Sequence, residues 1–134
     1  VANNPQVQCA HPLYPQASAT PFSVGNTAGA AAINTITLAA VAGRRYFITR
    51  VVCTSAQVAV VNGDLTITNI LNNAGAAGTL TYKFVEGTTT GGQLILDFSS
   101  FPLVGVDLNT AVVVSLAAIG SGAATALEVS GFLI

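Results

Sequence analysis

The sequence predicts an all-β fold, an eight-stranded two-sheet sandwich preceded by an extended N-terminal arm, and three observations carry that expectation. From residue 33 onward apolar residues recur at every second position, the period of a strand with one buried face. The alternating stretches are short and are separated by turns rich in Gly and Asn. No stretch shows the apolar spacing of an amphipathic helix. At 134 residues the chain has the length of one domain and buries enough surface for a core of its own.

Residues 1–32 read as the arm. Four of the five prolines, Pro5, Pro12, Pro15 and Pro21, fall here. Proline fixes φ and lacks an N–H, so this spacing favours extended chain without ladders of its own. Val7, Leu13, Tyr14, Phe22 and Val24 make the arm too apolar for a solvated tail. An arm lying over a neighbouring subunit, with Leu13, Tyr14 and Phe22 as its contacts, fits this composition, and an arm covering its own domain is the alternative.

The sandwich is expected over residues 33–134. Ile36, Leu38 and Ala40 share a face. Tyr46, Ile48 and Val52 alternate with Phe47, Thr49, Val51 and Cys53, so that strand reads as covered on both faces and Cys53 as facing away from Ile48. Val58 to Val61 is a further strand. Asn62-Gly63-Asp64 reads as a tight turn into Leu65-Thr66-Ile67-Thr68. Asn72 to Gly78 is a loop, and Leu80, Tyr82 and Phe84 alternate with Thr79, Thr81 and Lys83. After the loop Gly87 to Gly92, Leu94, Leu96 and Phe98 line one face, and Pro102 to Gly105 breaks the pattern. Ala111 to Ile119 and Ala124 to Ile134 are the last strands, joined through Gly120-Ser121-Gly122. The jelly roll is the commonest arrangement of eight short strands in two sheets. An immunoglobulin-like sandwich is the alternative, disfavoured by the lack of Trp and of a cysteine pair at inter-sheet spacing.

Charge is the outlying feature of the composition. Only 7% of residues are Asp, Glu, Lys or Arg, against about 25% in ordinary soluble domains. A neutral surface of Ala, Thr, Ser, Asn, Gln and Gly loses little solvation on contact, which favours permanent packing against other protein over a free monomer. A net charge of −1 gives no footprint for nucleic acid. Arg45 and Arg50, five positions apart on a strand, are expected on opposite faces. No apolar run approaches the roughly 18 residues of a membrane helix, and no signal peptide is expected from Val1-Ala2-Asn3-Asn4-Pro5.

Groups able to do chemistry are few, and no enzyme activity, cofactor or small-molecule substrate is expected. The one histidine, His11, lies in the arm, and no Gly-x-Ser-x-Gly elbow presents a nucleophile. Asp64, Glu86, Asp97, Asp107 and Glu128 are dispersed over separate strands and turns, whereas general acid–base catalysis needs two carboxyl groups held close. Asp64, Glu86 and Asp107 read as turn or strand-end residues. Cys9 and His11 with a distant Cys53 fall short of the four ligands of a structural zinc site. Cys9 and Cys53 could instead pair, within a chain or from an arm to the next subunit. An intrachain bridge would stabilise by about 4 kcal/mol on the chain-entropy argument. The other reading makes Cys53 a small buried hydrophobe and Cys9 a free thiol.

Five motifs in order, Ala42-Gly43-Arg44-Arg45-Tyr46-Phe47-Ile48-Thr49, Asn62-Gly63-Asp64, Pro102-Leu103-Val104-Gly105, Asn109-Thr110-Ala111-Val112 and Ser130-Gly131-Phe132, are spread over about two-thirds of the chain. In that order they resemble small virion proteins of tailed bacteriophages, although no basic residue follows Leu103 and the arm has no counterpart. The resemblance implies a structural protein of the virion, most simply a capsid decoration or cement protein that bridges subunits of the major capsid protein. Its copies would associate with themselves, as a trimer. A tail or head-fibre component that binds host glycans through the loops Asn72 to Gly78 and Gly87 to Gly92 is the alternative, and a small non-viral lectin or adhesion domain is a third.

Overall fold

The computed structural model describes residues 19–56, 62–84, 93–106, 109–120 and 124–134. These form nine strands: β1 (Thr20–Ala28), β2 (Asn34–Leu38), β3 (Tyr46–Ser55), β4 (Gly63–Leu71), β5 (Ala77–Phe84), β6 (Gln93–Asp97), β7 (Leu103–Val104), β8 (Val112–Leu116) and β9 (Thr125–Leu133). Sheet A has the order β1-β9-β3-β6, with the short β7 also on β3, and sheet B has the order β2-β8-β4-β5. All pairings are antiparallel: β1 with β9, β2 with β8, β3 with β6 and β4 with β5, completed by β3 with β9 and β4 with β8. The expected all-β two-sheet sandwich is therefore present.

Alternation within each strand places the core between the sheets. In sheet B the inward residues are Ile36 and Leu38 of β2, Val112, Val114 and Leu116 of β8, and Leu65 and Ile67 of β4, all buried. Sheet A answers with Ile48, Val51 and Cys53 of β3 and Leu127 and Val129 of β9. Each large apolar side chain moved from water contributes about 1.5–3 kcal/mol, which makes this interior the main source of stability. Asn34, fully buried, links the sheets. Its Nδ2 donates to the Asn26 carbonyl at 3.2 Å and to the Thr125 carbonyl and Oγ1 at 3.2 and 3.1 Å, and its Oδ1 accepts from Asn26 Nδ2 at 2.9 Å.

Several sequence expectations are corrected here. The sheet begins at Thr20 rather than 33, because Thr20 to Ala28 forms a continuous nine-residue ladder with β9. In that edge strand the apolar alternation stops after Phe22 and Val24, and Gly25 to Ala28 are small or polar, so the pattern is too short to mark a strand. Phe22, expected at a neighbouring subunit, packs edge-on against Tyr46 of its own chain, with ring centroids 5.2 Å apart and planes at 83°. Asn62-Gly63-Asp64 is no tight turn: Gly63 and Asp64 already pair with Phe84 and Lys83 in β4. Gly63 is required by packing, since a Cβ there would lie 2.4 Å from Ile119 Cγ2. The Pro102 to Gly105 break contains β7. The Val58 to Val61 strand falls outside the described residues.

Two β-bulges account for the remaining differences. The β3–β9 register shifts between Ile48 and Arg50, so the inward parity changes and Ile48, Val51 and Cys53 all face the core. Only one face of β3 is buried in the core, and Cys53 shares it with Ile48. The same shift defeats the parity argument that set Arg45 and Arg50 on opposite faces. In β4 the register shifts between Thr68 and Ile70, where Asn69 takes φ 65°. Asparagine tolerates this left-handed conformation, and Asn69 Nδ2 donates to the Ala111 carbonyl at 2.9 Å.

Candidate assembly interface

The outer faces of the two sheets differ in chemistry. Outward positions of sheet B form two rows across its four strands, Thr35–Ser115–Thr66–Thr81 and Thr37–Val113–Thr68–Thr79. Seven of these eight side chains carry a hydroxyl, and Thr35 Oγ1 and Ser115 Oγ lie 2.9 Å apart. The rim of this face holds the ion pair between Lys83 Nζ and Asp64 Oδ1. A field of β-branched hydroxyls satisfies both strand propensity and water.

Outward positions of sheet A run in four rows. At one end, Pro21, Phe132, Phe47 and Val104 are cross-strand neighbours on β1, β9, β3 and β7. Beyond them come Ser23, Ser130, Arg50 and Asp97, then Gly25, Glu128, Val52 and Ile95, then Thr27, Ala126, Thr54 and Gln93. The first row lies outside both the core cluster and the side chains packed on it. Phe132 takes its outward place because Gly131 before it points inward, where a Cβ would meet the Phe47 carbonyl oxygen at 2.0 Å. At the edge of this sheet Phe101 is 87% exposed and Ile95 is 45% exposed. Within the row Pro21 is exposed while Phe132, Phe47 and Val104 are half-buried, and Ile33 and Leu71 are exposed away from this sheet; outward apolar side chains that lie together favour protein contacts.

The ionisable groups are held locally rather than gathered. Asp97 Oδ1 accepts from the Ser99 hydroxyl at 2.5 Å and the Ser99 amide at 2.9 Å, and these bonds, with Arg50 nearby, hold its carboxyl below the usual range. Ser23 Oγ donates to Glu128 Oε1 at 3.4 Å. Asp64 is a cross-strand partner of Lys83 rather than a turn residue, while Glu86 and Asp107 lie outside the described residues. Among the described residues no three His, Cys, Asp or Glu side chains come together as metal ligands, and no buried side-chain polar atom lacks a partner. Shallow depressions over Gly25, Val52, Ala126 and Glu128 (about 400 Å³) and around Ala28, Ser55 and Ala124 (about 660 Å³) follow the small side chains of sheet A.

Cys53 is a free thiol, fully buried between the sheets. Burial pushes its pKa up to about 11, a backbone hydrogen bond with Leu94 acting in the other direction. Any disulfide partner would have to enter the core. Cys9, His11, Leu13 and Tyr14 lie outside the described residues, as does the loop Gly87 to Gly92. In the other expected binding loop, Asn72 Oδ1 accepts from the amides of Ala74 and Ala76 at 2.9 and 3.0 Å. That side chain is therefore engaged in shaping its own turn. The apolar row on sheet A was not legible beforehand, because it depends on the β3 bulge and on the pairing of β1. Comparison with known proteins assigns no family: no family model matches the chain, and no curated protein matches it either.

Proposed function

We propose that the chain is a non-catalytic structural protein of a tailed-phage virion, a decoration or cement protein that self-associates as a trimer and bridges subunits of the major capsid protein on the capsid surface. The observation that carries the assembly reading is the outward row Pro21–Phe132–Phe47–Val104, set on a molecule with only 7% charged residues. An apolar row of this kind gives up little hydration on contact and gains from burial in proportion to area. The virion assignment draws its support from the resemblance of the five sequence motifs.

The strand pairing is compatible with that role. Pairing β1 with β9, β2 with β8, β3 with β6 and β4 with β5 supports reading the sandwich as a jelly roll, an architecture used by viral capsid proteins among others. Electron microscopy of virions with an antibody against this chain tests the location, and label on the head facets is expected. Label on the tail tip would favour the fibre reading, and no label on any virion would overturn both. Size-exclusion chromatography with light scattering tests the assembly, and a stable monomer at micromolar concentration would overturn it.

A further inference from the structure

The two sheet orders end in β1 and β6 and in β2 and β5, and three of these four strands carry a feature that discourages further pairing. β2 and β6 are five residues long, β6 ends in Asp97, and β5 carries Lys83. Shortness and charge are the usual protections of a sheet edge. β1 has neither. It runs nine residues, contains no Asp, Glu, Lys or Arg, and pairs with β9 without a register shift. Seven of its nine residues are exposed, only Phe22 and Ala28 being half-buried.

Hydrogen-bond parity in sheet A fixes which backbone groups of β1 face outward. Arg45 and Ile134 exchange both backbone bonds, at 2.7 and 3.0 Å, and the Ala56 amide donates to the Ala124 carbonyl at 2.9 Å. Ile134 and Ala124 flank β9, and both bond toward the β3 side. Alternation along β9 then turns Leu133, Gly131, Val129, Leu127 and Thr125 toward β1, where they meet Thr20, Phe22, Val24, Asn26 and Ala28. Ser23, Gly25 and Thr27 therefore direct both amide and carbonyl away from β9. Pro21 shares their parity, so its missing N–H costs the ladder nothing. Among the described residues no second strand lies on β1, and no turn or loop backbone bonds to Ser23, Gly25 or Thr27.

We propose that this edge pairs with β1 of a second copy of the chain, antiparallel and about a twofold axis at Gly25. Ser23 then stands opposite Thr27 of the second copy, Gly25 opposite Gly25, and Thr27 opposite Ser23. Each of these pairs exchanges two backbone bonds, so every outward amide of the strand is used and Pro21 falls beyond the paired stretch. An axis one residue earlier, at Val24, would set Pro21 against Thr27 and forfeit a bond. The occupant follows from the same features. The outward donors are centred on one glycine, so the edge is complementary to its own image, and no charge on β1 meets a like charge there. The other edges of a second copy offer Lys83, Asp97 or only five residues. Sheet A continues through both copies in the order β6-β3-β9-β1-β1-β9-β3-β6. This contact is separate from the threefold association proposed above and does not depend on it.

Cysteine linking in the full chain reads both the pairing and its register, in a Cys9→Ser background with Cys53 left buried in the core. A Cβ at position 25 meets nothing closer than the Leu127 carbonyl oxygen, 3.7 Å away, so a side chain fits there. Gly25→Cys sets two thiols face to face with Cα atoms about 5.5 Å apart, within disulfide reach. A covalent dimer is expected on mild oxidation of the native protein. Two copies of Thr27→Cys would stand about 15 Å apart and should link at least about tenfold less, whereas Thr27→Cys mixed with Ser23→Cys should link as a heterodimer. Gly25→Pro removes an outward donor and leaves the β9 ladder intact. It should halve the mass measured by light scattering, dimer to monomer or hexamer to trimer, with the circular dichroism of the sheet retained; if that variant does not fold, the linking pattern decides alone. Linking at Thr27 as readily as at Gly25, or no linking at all, overturns the inference. A three-copy mass that Gly25→Pro leaves unchanged overturns it as well, yet leaves the threefold association standing. A monomer throughout overturns both.

Discussion

Gly131 shows how a single missing side chain sets the surface chemistry of this molecule. Its inward side is occupied by the backbone of β3, with the Phe47 carbonyl oxygen 2.0 Å from where a Cβ would sit and the Ile48 Cα at 3.0 Å. Neither obstacle is the flexible end of a side chain. Gly131→Ala should therefore destabilise by about 3 kcal/mol or more, at the upper end for overpacking, and a urea unfolding curve would measure the loss. Cys53 is the second residue whose setting decides its behaviour. In a Cys9→Ser background, a thiol reagent at pH 8 should leave the native protein unlabelled and react fully in denaturant, because the thiol is buried and its pKa is raised to about 11. The sign of the pH effect follows from the same shift. A pKa raised in the folded state favours the neutral thiol, so its contribution is complete below the thiol's ordinary value of 9.0 and is lost as pH rises toward 11. The thermal midpoint should fall over that window, and less so in Cys53→Ala relative to its own value at pH 8. Asn34→Ala would leave the Thr125 and Asn26 groups it joins short of a partner in the core. A loss of about 2–3 kcal/mol is expected for such a site, again read from urea unfolding.

At the level of the strand, the sequence was most informative where one face meets water and the other meets the core. The buried–exposed alternation of β2 and β9 repeats the apolar–polar alternation of their residues, and β5 and β8 also follow their apolar pattern. It was least informative in three kinds of place. In β1 the inward positions are Phe22, Val24, Asn26 and Ala28, so the apolar alternation lasts only two steps even though the backbone ladder is complete. In β3 and β4 an extra residue reverses the parity midway, and no local feature of Thr49 marks that event. Asn69 did carry a signal, since asparagine is among the residues that adopt positive φ, but it is equally at home in turns. Gly63 had the composition of a turn and the role of a packing gap. The Asn69 bulge can be tested by comparing two substitutions. Asn69→Gly keeps the φ of 65° accessible and loses only the bond to Ala111, so it should cost about 1 kcal/mol. Asn69→Ala loses the bond and adds the steric cost of that conformation, so it should be about 1 kcal/mol worse again. Chemical denaturation of the pair separates the two terms.

For the molecule as a whole, the two sheets differ in outward chemistry: sheet B is covered by hydroxyls, and sheet A carries a row with two aromatic side chains at one end. The sparse charge was legible in the composition, and it pointed toward packing against other protein. Which face would carry an aromatic row was not, because Phe47 and Phe132 sit 85 residues apart in the sequence and become neighbours only through the β3–β9 pairing. An assembly held by such a neutral surface should be indifferent to ionic strength: light scattering in low and in high salt should give the same mass, since there are few charges to screen. Strand order also governs how the molecule comes into being. The final strand, β9, lies between β1 and β3 rather than at an edge. While the chain is being synthesised, β1 has no neighbour to bond, and β3 only β6 and β7, until residues 125–133 have left the ribosome. Sheet A thus closes only after translation has passed its last strand, and until then β1 and β3 present free edges on which nascent copies crowded along one messenger can join to one another instead of folding.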